Sequence, residues 1–152
     1  MSDASYQPAV YRRQGGDAYV VTTDGSIVKE NFPQAITWSV AAESSDTRAI
    51  TATLTDADGT TVSGCHPVWI VLLADSSGSA YTTASTALAA LTSGSAGTIA
   101  QIVIQKLYLG ICSTAGVLGM TWTDTSAETA YIGAILEDGT YSISTAAITC
   151  AS

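Results

Sequence analysis

An alternation of apolar and threonine side chains in the segment RAITATLT, residues 48–55, constrains the fold of this chain more than any other feature. Successive side chains of a β-strand point to opposite faces, so this spacing puts Ile, Ala and Leu on one face and Thr on the other. AITWSVA, residues 35–41, repeats the pattern, and Asp58-Gly59 supplies a tight turn after the first segment. We therefore predict antiparallel strands that bury one face only.

The composition supports an all-β fold with one main domain. At 152 residues the chain is long enough to bury about two-thirds of its unfolded surface. Charged residues make up 12% of the chain, against a usual share of about 25%, so Ser, Thr and Gly must supply most of the polar surface. Because Thr favours strands while Ser and Gly favour turns, we predict an antiparallel β-sandwich.

The N-terminal region divides into an arm and a hairpin. Residues 1–17 show no sustained period, so we predict an N-terminal arm there. AYVVTT and SIVKE flank Asp24-Gly25, and an Asp-Gly pair between β-rich runs is the strongest short-range signal for a hairpin. We therefore predict a hairpin over residues 18–30, which leads a sandwich domain of residues 18–152.

PVWIVLLA, residues 67–74, is apolar at every position and is too short for a typical helix. It predicts a central strand buried on both faces, so its second face must be covered by the arm, by the connection 75–97 or by another subunit. Within that connection, residues 86–91 are predicted to form one helical turn. The predicted core consists of Trp38, Ile50, Leu54, Val68, Ile70, Leu72, Ile102, Ile104, Trp122, Ile132 and Ile135.

The charge balance disfavours several classes of function. Five Lys and Arg against thirteen Asp and Glu give a net charge of −8, which repels a phosphate backbone, so nucleic-acid binding is not expected. No apolar run reaches the roughly 20 residues that cross a bilayer, and the N-terminus lacks the pattern of a secretory signal. We expect synthesis in the cytoplasm and no membrane contact.

The residues that carry chemistry form no catalytic or metal-binding pattern. His66 is the only histidine, and it adjoins Cys65 on an extended segment, where neighbouring side chains point apart. The DADG sequence that begins at Asp56 is not followed by the glutamate that a calcium loop needs. Three cysteines without a C-x-x-C pair predict free, buried thiols. We therefore expect no enzymatic activity, no metal and no cofactor.

Aromatic and arginine residues are the candidate contact residues. The three tryptophans, Trp38, Trp69 and Trp122, lie in register with apolar neighbours, which predicts core positions. A sugar-binding face is the alternative, and it depends on the tyrosines at positions 6, 11, 81 and 108. Tyrosine and arginine are enriched at interface hot spots, so the arm is predicted to bind a partner. The predicted partner-binding residues are Tyr6, Tyr11, Arg12 and Arg13. An untethered tail is the alternative.

The order of these parts resembles a known class of structural protein. The leader YRRQGGD runs into a small hairpin, and TLTDADGT, VWIVLLAD and a closing EDGTY hairpin follow. This layout resembles the head decoration and minor virion proteins of tailed bacteriophages, which have an immunoglobulin-like β-sandwich. The resemblance implies a non-enzymatic virion protein, made in the host cytoplasm, that decorates or cements the capsid. It also implies a homo-oligomer that binds the major capsid protein or another virion protein. A tail structural protein and a carbohydrate-binding or adhesin-type module are the alternatives.

Overall fold

The computed structural model describes residues 10–12, 19–21, 32–83, 89–126 and 128–150, the first two ranges by their backbone alone. Within these ranges the chain forms eleven β-strands. The described residues include no helix long and apolar enough to cross a membrane. The chain divides into two units, Met1–Glu30 and Asn31–Ser152.

The first unit contains a short antiparallel pair of strands. β1 (Val10–Arg12) pairs with β2 (Tyr19–Val21), and Val10 lies opposite Val21. The sequence predicted no strand at residues 10–12, because three residues are too few to show a period. The turn at Asp24-Gly25 lies outside the described residues, so the hairpin 18–30 and the domain boundary at residue 17 stay predictions. The side chains of the predicted partner-binding residues, Tyr6, Tyr11, Arg12 and Arg13, also lie outside the described part of the chain.

The second unit is an all-β sandwich of two antiparallel sheets, as the sequence predicted. Its strands are β3 (Ala35–Val40), β4 (Thr47–Thr55), β5 (Pro67–Leu73), β6 (Ala89–Ser93), β7 (Thr98–Val103), β8 (Leu107–Ile111), β9 (Val117–Asp124), β10 (Tyr131–Ile135) and β11 (Tyr141–Ile143). One sheet has the order β3-β4-β9-β6, and the other has the order β11-β10-β5-β8-β7.

The order of strands within each sheet agrees with that of an immunoglobulin variable domain, but the connections between them do not. In such a domain the chain leaves the central strand of the larger sheet, adds two neighbours to that sheet and then crosses to the edge of the smaller sheet. Here the chain leaves β5, first forms β6 in the smaller sheet and then returns for β7 and β8. The β-sandwich is therefore confirmed, whereas the immunoglobulin-like connectivity is not.

The core lies between the two inner faces. Of the predicted core residues, seven are buried, namely Ile50, Leu54, Val68, Ile70, Leu72, Trp122 and Ile132, while Trp38 and Ile135 are half-buried. The prediction is wrong for Ile102 and Ile104, which are 54% and 63% exposed. The register of the edge strand β7 shifts between Gln101 and Val103, so the inward alternation ends there and Ile104 lies in the turn to β8.

The connection 75–97 contains a strand where a helical turn was predicted. β6 begins at Ala89, and its inward side chains, Ala89 and Leu91, are buried against β9, with Leu91 opposite Trp122. Residues 84–88 lie outside the described part of the chain. Tertiary pairing with β9 therefore overrides the weak helical preference of the Ala-rich sequence.

Candidate functional site

The outer faces of the two sheets differ sharply in chemistry. On the four-stranded sheet the outward positions carry mainly hydroxyl side chains, and we name this surface the threonine face. Its members are Thr37, Ser39, Thr51, Thr53, Thr55, Thr92, Thr121 and Thr123. Hydroxyl groups remain hydrated at low cost, so this face is an ordinary solvent-facing surface of a half-buried sheet.

On the five-stranded sheet the outward positions are mostly apolar. One cross-strand row runs through all five strands in register, and it consists of Tyr141, Ile135, Trp69, Leu109 and Ala100. We name the outward side chains of this sheet the apolar face; besides the row, it includes Ile111, Leu107, Val103 and Ile143. None of the five strands contains a charged residue.

A loop covers one part of the apolar face. Val71 and Leu73 point outward from β5, yet they are only 5% and 4% exposed. Residues 74–81 lie over them: Tyr81 forms a bridge with Leu73, and the space above Gly78 is limited by Tyr141 and Ile143. The sequence predicted that the second face of β5 must be covered, and the connection does so for these two residues. Trp69, by contrast, is 42% exposed.

Asp75 determines the shape of this covering loop. Its carboxylate accepts hydrogen bonds from the backbone N–H and hydroxyl of Ser77 and from the backbone N–H (3.2 Å) and hydroxyl (2.5 Å) of Ser79. The hydroxyl of Ser77, followed by that of Ser79, holds the pKa of the Asp75 carboxyl below its usual range. The loop is therefore a set of turns organised around one ionised side chain.

The loop and the apolar face enclose a shallow aromatic cavity of about 240 Å³. Tyr81 and Tyr141 are exposed at its opening, and Val71, Leu73 and Ile135 form its floor. Partial burial raises the pKa of the Tyr141 hydroxyl, and the nearby Tyr81 and Asp75 raise it further. Two exposed tyrosines above an aliphatic floor can hold a flat or ring-shaped group.

A second cavity, of about 450 Å³, lies between the edge strands β6 and β7. Gln105, in the turn after β7, adopts a left-handed backbone conformation with φ 50°, and its side-chain amide donates to the carbonyl of Ala89. The amide of Gln101 donates to the hydroxyl of Tyr108 at 2.9 Å. Burial raises the pKa of the Tyr108 hydroxyl. The cavity is therefore lined by uncharged groups, and two glutamines set its shape.

The structure corrects several aromatic predictions. Trp122 is buried as predicted, and Trp38 is half-buried, with its Nε1 donating to the Ser142 hydroxyl at 3.0 Å. Trp69 shares its outward register with Pro67 and Val71, so its apolar neighbours indicate an outer face rather than the core. Tyr81 is exposed, whereas Tyr108 lies opposite Ile70 on the inner face and is buried.

The ring of His66 lies near one backbone carbonyl and one carboxylate. The Nε2 of His66 lies 3.2 Å from the Ser63 carbonyl oxygen, and its Nδ1 lies 3.8 Å from a carboxylate oxygen of Glu137. Cys112 and Cys150 are buried, but Cys65 is exposed, so the prediction of a buried thiol is wrong there. Among the described side chains, no group of three or more His, Cys, Asp or Glu could hold a metal ion.

These environments predict which thiols react. All three cysteines are free, and burial raises the pKa of Cys112 and Cys150, which leaves less thiolate at neutral pH. Alkylation of the folded protein without reductant is expected to modify Cys65 alone, and alkylation in denaturant is expected to modify all three. Intact-mass analysis counts the added groups. An intramolecular disulfide recovered by this measurement would overturn the assignment.

The structure thus brings together residues that the sequence predictions had assigned separately, Trp69 and Ile135 to the core and Tyr81 to the alternative sugar-binding face. The strongest sequence signal for this grouping is that β5, β8 and β10 are apolar at both odd and even positions, which predicts either burial on both faces or a contact surface. The predicted contact residues of the arm, Tyr6, Tyr11, Arg12 and Arg13, lie outside the described side chains. Comparison of the chain with protein-family models, with curated proteins and with solved structures found no match.

Proposed function

We propose that this chain is a non-enzymatic structural protein of a bacteriophage virion, which decorates or cements the capsid through protein–protein contacts. The observation that supports this proposal is the apolar face, whose row from Tyr141 to Ala100 crosses all five strands without a charged residue. Contiguous apolar surface rimmed by polar residues marks interaction sites on soluble proteins. The depletion of charge and the presence of Trp and Tyr are also the composition expected at the centre of a protein interface.

The acidic character of the chain fits an assembly role in which contacts form only at surfaces that are uncharged or basic. With a net charge of −8, most approaches between this chain and another acidic protein are repelled. Arg12 and Arg13 supply two of the five basic residues, and they remain the proposed contact with the capsid, together with Tyr6 and Tyr11. Arginine can bind a carboxylate through two parallel hydrogen bonds, which suits an acidic lattice.

Co-sedimentation with purified particles of the parent bacteriophage tests this function. The wild-type protein is expected to pellet with the particles in a saturable amount. Arg12→Gln with Arg13→Gln is expected to weaken attachment several-fold, more strongly at low salt than at high salt, because salt screens exposed charges. Thr37→Glu with Thr92→Glu changes the net charge equally on the threonine face and serves as the matched control.

Two outcomes would contradict parts of this proposal. If the wild-type protein fails to pellet with particles at any salt concentration, the virion assignment is wrong. If the double arginine variant pellets like the wild type, the arm is only a tail. Separate fractions of heads and tails distinguish a capsid protein from a tail structural protein.

A carbohydrate-binding module is the second candidate, and the aromatic cavity favours it. Tyr81 and Tyr141 offer ring faces for stacking on a sugar above the floor formed by Leu73 and Ile135. A glycan-array signal that Tyr81→Ala removes, in a protein that does not pellet with particles, would replace the virion proposal with this one.

A further inference from the structure

We infer that the apolar face is covered by a second copy of the same chain, packed sheet on sheet about a two-fold axis. The inference rests on the proposed function, because the apolar face supports that function and the inference names the partner that covers this face. It assigns the interface between copies to the five-stranded sheet and leaves the proposed capsid contact to the N-terminal arm.

The position of Trp69 favours a symmetric partner. β5 is the middle strand of the sheet, and Trp69 lies in the middle of the five-residue row. A residue at the centre of a two-fold interface meets the same residue of the other copy. A large apolar side chain there is therefore buried against its counterpart. Ile135 and Leu109 lie opposite Trp69 on either side and would extend the contact outward. A central aromatic residue surrounded by aliphatic ones is the arrangement of an interface hot spot.

Charge and apolar area together favour this face over the threonine face as a contact between copies. Two copies each carry a net charge of −8 and repel one another, so they can approach only through surface that lacks carboxylates. The strands of the apolar face contain none, and the loop that covers part of it carries one, Asp75, whose oxygens accept the hydroxyl groups of Ser77 and Ser79. The threonine face also lacks them, but hydrated hydroxyl groups offer little apolar area to remove from water.

The charged residues around the apolar face are arranged in a complementary way. Lys106 lies in the turn from β7 to β8, at the end of the sheet where β5 finishes, because Leu107 pairs with Val71. Glu137 and Asp138 lie in the turn after β10, at the opposite end and on the opposite side of β5. One orientation of a two-fold axis parallel to the sheets brings Lys106 of each copy close to Glu137 and Asp138 of the other copy. Such rim charges set the register and add little to the affinity.

The area is that of a weak, reversible contact. Five strands at about 4.8 Å spacing and about five residues in length give a flat area of roughly 400 Å², part of which lies under residues 74–81. Two copies would bury at most on the order of 800 Å² together, which is the size of weak and transient interfaces. Pairing of sheet edges is less suitable, because β11 has three residues and β7 carries the register shift after Gln101.

Sedimentation velocity of the isolated full-length protein over a wide concentration series tests the inference. The wild type is expected to form a dimer. Trp69→Glu is expected to raise its dissociation constant at least about 30-fold, because it places a charge at the centre of the interface. Ile111→Glu is a second variant on the same face, and Thr37→Glu adds the same charge to the threonine face, where the dimer should persist. Thermal unfolding of each variant shows that it is folded.

The results separate this inference from the virion proposal. A wild-type protein that stays monomeric at every concentration, or a dimer that Trp69→Glu and Ile111→Glu leave intact, overturns the second copy as the partner. A monomer that still pellets with particles, and loses this property on Trp69→Glu, identifies the particle as the occupant instead. A dimer that does not pellet supports the interface and contradicts the virion function.

Discussion

Replacement of Gly116 by alanine is expected to reduce the free energy of unfolding by about 2–5 kcal/mol. Gly116 has φ 69°, a left-handed conformation that costs an L-residue about 1–2 kcal/mol. A methyl carbon there would also lie well inside the van der Waals contact distance from the Val62 carbonyl oxygen, and such overpacking adds about 1–3 kcal/mol. The backbone cannot move away easily, because the Gly116 carbonyl accepts the N–H of Leu54 at 2.9 Å. Urea unfolding followed by tryptophan fluorescence measures the loss.

Gly59→Ala is the matched control for this substitution. Gly59 has φ 78°, so the conformational cost is similar, but no atom lies within 4 Å of the position that a methyl group would take. The expected loss is therefore about 1–2 kcal/mol. Equal losses for the two variants would show that the close approach to the Val62 carbonyl adds nothing to the cost of a side chain at residue 116.

Truncation of Ile70 is expected to cost about 2–5 kcal/mol of unfolding free energy, because Ile70→Ala leaves a cavity between the sheets. Ile70 is fully buried on the middle strand of the five-stranded sheet. Ile102→Ala removes the same atoms from a side chain that is 54% exposed, and its expected cost is below about 1 kcal/mol. Chemical unfolding of the two variants in parallel measures the difference. A large loss at Ile102 would mean that this residue is buried in the protein in solution, for example by a partner subunit.

The sandwich could be predicted from the sequence because its local signals are consistent. The alternation at residues 48–55 became β4, with Ile50, Ala52 and Leu54 buried and the intervening threonines facing outward. The Asp58-Gly59 turn also formed, with the Asp56 carboxylate accepting the N–H of Asp58 and of Thr60. Local spacing is sufficient in such cases, because pairing and burial impose the same period of two.

The candidate site could not be predicted in the same way, because an apolar run does not say which of its faces is inside. Trp69 has apolar neighbours on both sides, and only the pairing of β5 with β8 and β10 shows that it points outward. Ile102 and Ile104 were misassigned because a register shift in β7 is a long-range feature of pairing. The strand β6 was missed because its pairing with β9 joins residues that are distant in sequence.

The path of the chain between the sheets has a consequence for how the protein folds. Five connections cross from one sheet to the other, namely β4 to β5, β5 to β6, β6 to β7, β8 to β9 and β9 to β10. Neither sheet can therefore be completed by a continuous segment, and β9 must be present before β6 has a neighbour. Contacts between distant residues dominate such a chain, so folding is slow and cooperative, and β6 gains its stability only after most of the polypeptide has left the ribosome.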